Sequence, residues 1–360
     1  MIEAAESLNP ENTRIIVDSS SNVPAAWQAQ YRMLEVPTLV NFGVESFRNN
    51  VDLSAAAFYT RFAAHPDDVP TTSQPPPAFF ADAYRRAFDE GAAHVIVVTI
   101  TRKLSGTYNS AVSAAQEFGP ERFLLWDGNT ISMGSGWQAL VAARLLDGGV
   151  SGADLVATLT RVRGAMVGYA ALDTLKYAAL SGRVGNVQAG LGNLLHIKPI
   201  LEIRDGRVDA ISRARGRKRS LREIVERFSH DLAGQPVNVA VQHAKHAADG
   251  ATALADELRQ RLDVRDLTSG DIRPRHRSLG RPGAIGIIGF PAASAQPCVT
   301  EWLLTGSRRP AGDGRRTSIY PEIPVRRRRC YPNSQDKPVC CEFPDRFLNC
   351  ERKRRLLLSG

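Results

Sequence analysis

The stretch HVIVVTITRKLSGTYNSAVSAAQEFG (94–119) decides how the fold is read. Its first seven residues form an apolar, β-branched run, the pattern of a strand buried on both faces. Its end, AVSAAQEFG (111–119), carries small and apolar residues at helical spacing. Between them lies TRKLSGTYNS (101–110), so a strand delivers a turn of small hydroxyl residues to the start of a helix. A helix start presents unpaired N–H groups and the positive end of the macrodipole, which suits an anion. The alternative is that Ser105 simply caps the helix, the commoner work of serine there. One turn leaves both readings open.

Working outward, the same alternation recurs. RIIVDSS (14–20) reads as a first strand, PAFFADAYRRAFDEG (77–91) as a helix entered through prolines, and RFLLWDG (122–128) as another strand. ISMGSGWQALVAARLLDGG (131–149) then reads as a long helix closed by glycines. Alternation of this kind predicts a mostly parallel, three-layer α/β domain over 13–150, preceded by a flexible terminus at 1–12. Beyond it, 152–165 reads as a helix, 166–174 as a strand, and 194–216 as two strands joined at Asp205-Gly206, a strong hairpin signal. A helix at 221–234, a strand at 236–244, a helix at 250–263 and a buried strand at 284–290 complete a mixed α/β domain over 151–290.

The chain has 360 residues and a net charge of +9, but the charge is unevenly placed. Residues 291–360 hold 14 basic and 7 acidic residues, so the first 290 residues carry only +2. All five cysteines also fall in that last segment, with eight prolines and the run RRRR (326–329). It reads as a disordered basic tail on a nearly neutral, cysteine-free body. The first residues, MIEAAESLNPENTR, lack an apolar secretion signal, and no apolar run is long enough to cross a bilayer, so a cytoplasmic protein without membrane insertion is expected.

Three segments share one design of apolar run, hydroxyl and amide cluster, then helix: VDSSSNVP (17–24), PTTSQPPPAFF (70–80) and the turn at 101–110. If the strands are parallel, their C-terminal ends converge on the sheet edge where open α/β sheets bind ligands. Thr72, Ser73, Gln74, Ser105, Thr107 and Asn109 then line one crevice. Singly each is best read as a cap; together they read equally well as a small anion site. Other chemistry has no sequence support. There is no dinucleotide or P-loop glycine motif and no G-x-S-x-G elbow. His243 and His246 sit at i,i+3 without a third ligand, which reads as a solvent-facing pair rather than a zinc site. The basic run RARGRKRS (213–220) is either solvated surface or a phosphate or partner contact, and the neutral body favours the contact.

The ordered series RIIVDSSSNVP, VESFRNNVDLSAAAFYTRF, PTTSQPPPAFF, LSGTYNSA, WDGNTISMGSGWQA, LDTLKYAALSGRVG, LLHIKPILEIRDG and ARGRKRSL closely resembles the DegV-type fatty-acid-binding proteins. The resemblance covers about 13–290. It implies two α/β domains with a lipid tunnel between them, and a carrier rather than an enzyme, with no cofactor or metal beyond a bound long-chain fatty acid. The carrier presents the carboxylate to a separate fatty acid kinase for acyl-phosphate formation and phospholipid synthesis. By resemblance Thr72 and Ser105 hold the carboxylate, with Ser73, Gln74, Gly106 and Thr107 beside them, while Arg183 and Arg215 meet the phosphorylated head group or the kinase. The physics agrees with that division of labour. Hydroxyls offset the desolvation of a carboxylate, while a buried chain contributes ~0.8 kcal/mol per CH₂.

One stretch departs from the family pattern. RPRHRSLGRPGAIGIIGF (273–290) puts charged residues at 275–281 where a histidine-bearing glycine turn is expected, and His276 is out of register for that role. The abrupt change reads as a locally shifted frame, and the tail as its continuation. Two readings of other classes stay beside the carrier: a nucleic-acid-binding protein using 213–220 and the tail, disfavoured by the neutral body, and an enzyme acting on a small anionic substrate.

Overall fold

The computed structural model describes residues 2–64, 69–186, 197–244, 247–272 and 283–296, all within one compact unit, Met1–Thr300. In the first half the strands are β1 (Ser7–Leu8), β2 (Thr13–Asp18), β3 (Leu34–Val36), β4 (Leu39–Phe42), β5 (Glu45–Arg48), β6 (Thr71–Ser73), β7 (His94–Thr99), β8 (Phe123–Asp127) and β9 (Val150–Ser151). The helices are α1 (Ala25–Gln30), α2 (Ala55–Ala64), α3 (Pro77–Asp89), α4 (Thr107–Ala115) and α5 (Met133–Asp147).

The apolar runs around 94–119 build the expected parallel sheet, in the order β3-β2-β7-β8 with every pairing parallel. β7 is buried on both faces because its side chains alternate between two cores. Val95 and Val97 pack with Phe80, Tyr84 and Phe123 under α3 and α4, while Ile96 and Val98 face Trp137 and Leu140 of α5. Each such side chain contributes roughly 1.5–3 kcal/mol by leaving water.

The region at 39–73 shows no strand signal in the sequence. It forms a separate antiparallel sheet, β5-β4-β6, with a small core of Val40, Phe42, Leu53 and Phe58. Its strands are three or four residues long and half exposed, so little apolar periodicity marks them.

The second half adds α6 (Gly152–Gly164), β10 (Val167–Ala171), α7 (Lys176–Ser181), β11 (Ile197–Arg204), β12 (Arg207–Arg215), α8 (Arg217–Asp231), β13 (Val237–His243), α9 (Ala248–Arg261), β14 (Val264–Asp271) and β15 (Ile285–Pro291). Its six-stranded sheet runs β12-β11-β10-β15-β13-β14, antiparallel except for β13 beside β14. The Asp205-Gly206 hairpin forms with both residues at positive φ, +50° and +73°, which matches the twist of the flanking strands. β14 has no counterpart in the sequence reading. VRDLTSGD is a half-exposed edge strand, and edge positions do not demand an apolar pattern.

α8 and α9 cover one face of this sheet through Ile224, Phe228, Leu254 and Leu258. The other face meets α5, with Trp137 edge-on to Phe290 at 5.9 Å between ring centroids. α5 therefore serves both sheets, and thirteen of its fifteen residues are buried. After β15 a 3-10 turn spans Ala292–Ala295, and the Arg161 guanidinium donates to the Gln296 carbonyl at 2.6 Å. The altered turn at 275–281 and the tail from 297 onward lie outside the described residues.

Candidate functional site

The segment TTSQ enters as β6, paired with β4 so that Thr72 opposes Val40. Thr72 is half-buried, whereas Ser73 and Gln74 are exposed. Asn41 Nδ2 donates to Ser73 Oγ at 3.4 Å. The prolines that follow hold the backbone extended until Pro77 starts α3, where a missing N–H is harmless. Gln74 is thereby projected toward the start of α4. Its Nε2 lies 3.5 Å from Ser110 Oγ, and a Cβ on Gly106 would fall 2.1 Å from its Oε1. Only glycine fits at 106 while Gln74 stands there. The sequence reading placed Asn109 in this crevice, but Asn109 is exposed and the buried Ser110 is what Gln74 meets.

In the turn itself Gly106 occupies the N-cap position of α4 and supplies no side-chain bond. The half-buried Ser105 accepts the Thr107 N–H at 3.3 Å, and its Oγ lies 2.8 Å from the buried Thr107 Oγ1. Serine thus does local capping work, as the plainer reading expects. The second half of the chain grips the same turn. Arg183 Nε donates to the Leu104 carbonyl at 3.0 Å, immediately before Ser105, and Lys103 Nζ donates to the Asp205 carbonyl at 2.5 Å. At the hairpin tip a Cβ on Gly206 would lie 2.6 Å from Thr101 Oγ1 and 2.4 Å from Asn129 Oδ1, so the tip seats its bare backbone against the turn.

The third hydroxyl cluster, VDSSSNVP, is engaged in holding the framework. Buried Asp18 accepts the Ser20 and Ile100 N–H groups at 2.8 and 3.0 Å, tying the ends of β2 and β7 together. Ser19 Oγ meets Thr38 Oγ1 at 2.9 Å, and Asn22 donates to Ser132 Oγ at 2.7 Å.

The basic run 213–220 is divided between two elements. Arg213 and Arg215 close β12, while Arg217, Lys218 and Arg219 form the first turn of α8, which begins four residues before the expected start. Cations in the first turn oppose the macrodipole, and no acidic residue offsets them there. Arg215, Lys218, Arg219, Arg222 and Arg227 border one shallow groove, which among the described residues also carries the acids Glu223 and Glu226. Half-buried Arg217 folds back to donate to the Ala171 carbonyl at 3.4 Å, and its Nη2 is buried without a partner among the described residues. Burial lowers its pKa below the usual guanidinium value, opposed by the nearby Asp173 charge.

A narrow apolar cavity lies where the start of α5 faces the six-stranded sheet, walled by Ile131, Ile203, Ile272 and Ile288. His243 is not solvent-facing: it ends β13 with Nδ1 3.3 Å from Asp271 Oδ1, and its side chain is 13% exposed. His246 and His276 lie outside the described residues. Among the described residues no group of three or more His, Cys, Asp and Glu could hold a metal, and no helix is long and apolar enough to cross a membrane. Of the expected site residues, Gln74, Ser105, Gly106, Thr107 and Arg183 are linked around one turn by direct contacts. Arg215 stands apart in the basic groove. Lys103, Ser110 and Arg217 were not singled out by sequence; their contacts are made only by folding.

Residues 12–292 match the model of the DegV family of uncharacterised proteins. A DegV domain-containing protein of Deinococcus radiodurans is 41% identical over 276 residues, covering 76% of this chain and 96% of that relative. Among solved structures, one described as showing fatty acid binding of a DegV family protein from Thermus thermophilus is similar, with a TM-score of 0.72 and 32% identity. It covers 78% of this chain and 99% of that one. Another, described as DegV, a fatty acid binding protein from Bacillus subtilis, has a TM-score of 0.69 and 26% identity over 78% of this chain and 99% of that one. The fold is therefore that of these proteins, and the chain belongs to the DegV family.

Proposed function

We propose that this protein is a carrier that binds a long-chain fatty acid, holding its carboxylate at Thr72 and Ser105 with Ser73, Gln74, Gly106 and Thr107 around it. The acyl chain lies in an apolar tunnel between a domain at 13–150 and a domain at 151–290. The carrier works in the cytoplasm and presents the carboxylate to a separate fatty acid kinase, which makes the acyl phosphate used in phospholipid synthesis. It performs no chemistry itself.

The observation that carries this reading is the joining of TTSQ, LSGT and SGR around one turn. Gln74 presses on Gly106, and Arg183 holds the carbonyl before Ser105, though these residues come from three distant segments. Hydroxyls and backbone N–H groups at a helix start can bind a carboxylate without a full countercharge, so the head group stays transferable. Affinity then comes from the chain, on the order of 10 kcal/mol for a long one before the costs of binding. The Ile-walled cavity beside α5, about 30 Å³ in volume, supports one apolar point on its path. Arg183 stands next to the head-group turn, while Arg215 borders the basic groove and suits an acidic docking surface. The cations in the first turn of α8 work against the helix, which supports a role for them outside folding.

Native mass spectrometry of the purified protein tests the binding, with a co-purified mass in the fatty-acid range expected. Empty protein that takes up neither oleate nor palmitate would refute it. ATP and oleate should yield acyl phosphate only when a fatty acid kinase is added; acyl phosphate formed by the protein alone would replace the carrier with an enzyme.

A further inference from the structure

The face of the six-stranded sheet that looks toward α5 carries a rung of very small residues. Ala170, Gly286, Gln242 and Gly270 stand opposite one another across β10, β15, β13 and β14. Opposed residues share a face, so Gln242 has no side chain directly opposite it on either flanking strand. Packing does not require these glycines. A Cβ on Gly286 would rest 3.4 Å from the Ala170 Cβ, an ordinary contact, and one on Gly270 would lie 3.7 Å from Gln242 Nε2. The effect of Gly286 is to hollow the wall, and it lines the apolar cavity with Ala170 and Gln242.

Gln242 is the exception in that wall. It is 5% exposed, its Nε2 makes one long bond of 3.4 Å to the Val241 carbonyl, and its Oε1 has no hydrogen-bond partner among the described residues. A buried amide oxygen without a donor destabilises the fold, and a methionine of similar length would fill the same space without that cost. A polar group kept on those terms, in a hollow that Gly286 opens, is placed to receive a donor from a ligand.

We propose that Gln242 selects an acyl chain bearing a hydroxyl group. The inference rests on the fatty-acid reading and refines it. An amide oxygen only accepts, so an ionised carboxylate cannot satisfy it, and neither can a plain methylene chain. An O–H on the chain donates to Oε1 and removes the unpaired acceptor. A site built to hydrogen-bond a hydroxyl discriminates strongly against the analogue that lacks it.

The experiment compares binding of stearate and of a series of monohydroxystearates, with the hydroxyl at successive positions, to the wild type and to Gln242→Met. At least one hydroxystearate should lose about tenfold in affinity in the variant, the worth of one buried hydrogen bond, while stearate binds as well or better. An unchanged ratio for every isomer overturns the proposal, as does an equal loss of stearate and hydroxystearates, which would assign the amide to the head group or the fold. Gly286→Val, which fills the hollow, should weaken every chain; unchanged affinities would show that the ligand lies elsewhere. A wild type that binds no fatty acid at all defeats the parent reading, an outcome distinct from a wild type that binds stearate but ignores the hydroxyl.

Discussion

Two regions of this chain read alike in sequence and fold very differently: the hydroxyl turn at 101–106 and the basic run at 213–220. Both suggest an anion. The turn is gripped from several elements at once, by Gln74 on Gly106, Arg183 on the Leu104 carbonyl and the hairpin tip on Thr101. Its polar groups are few and their positions are set by neighbours. The basic run spreads exposed cations along a strand end and a helix start, with Arg217 folded back onto the sheet. Geometry is held at the turn; charge is displayed at the run. Fixed donors suit a head group that must be placed to within a fraction of an ångström, and displayed charge suits the steering and orientation of a partner.

The contrast is most sharply broken with glycines. Gly106→Val should drive a side chain into Gln74 and reduce fatty-acid affinity by about a hundredfold, with the circular dichroism spectrum retained. Gly216→Ala, at φ +81° before α8, should lower stability by about 1 kcal/mol in denaturant titration and leave that affinity unaltered. If both substitutions act alike on binding, the two regions do not differ as argued.

Smaller effects follow at the hydroxyls. Thr72→Ala and Ser105→Ala should each weaken fatty-acid binding by about ten- to thirtyfold in calorimetry, the worth of one hydrogen bond to a charged group. Neither should move the thermal midpoint by more than a few degrees.

Charge removal is expected to touch partner work alone. Combined alanine substitution of Arg215, Lys218 and Arg219 should leave the dissociation constant for oleate unchanged. It should cut kinase-dependent acyl-phosphate formation several-fold and flatten its dependence on salt. A change in oleate affinity would move the basic groove into the lipid site.

The smallest effect concerns pH, at the cluster of Tyr169, Arg204 and Asp231. Burial opposes ionisation of Asp231, but hydrogen bonds from Tyr169 and His230 and the charge of Arg204 outweigh it and hold the carboxyl below its usual pKa. A depressed carboxyl pKa stabilises the fold above the unfolded value, near 4, and that stability is lost as pH falls through the lower folded value. Burial, first, and then the carboxylates of Asp231 and Glu202 push the Tyr169 phenol up to about 12. Tyr169→Phe should therefore shrink the loss of stability below about pH 4 in pH-dependent melts. An acid limb identical to that of the wild type would exclude the phenol as the group that holds Asp231 ionised.

Much of the framework was legible because burial on two faces leaves a strong mark. The runs that became β7, β13 and β15 and the apolar length of α5 were all read from hydrophobicity, and Asp205-Gly206 announced its hairpin through backbone chemistry. The small β5-β4-β6 sheet and the edge strand β14 left no such mark, since short or half-exposed strands tolerate polar residues. HAKH, spaced like a helix turn, ends a strand at His243. In the site, the hydroxyl clusters were visible as composition at helix starts, but not which atom meets which.

By itself, then, the sequence determined the alternation of elements, the hydroxyl turn that starts α4 and the concentration of charge outside the first 290 residues. These are local properties, set by side-chain type and by spacing along the chain. Tertiary structure alone decided that Gln74 would occupy the space left by Gly106, that Arg183 would reach Leu104 across 79 positions of chain, and that Gln242 would stand between two glycines of neighbouring strands. Those contacts depend on strand order and register, which no local pattern encodes: a shift of one residue would turn Gln242 to the opposite face of its sheet.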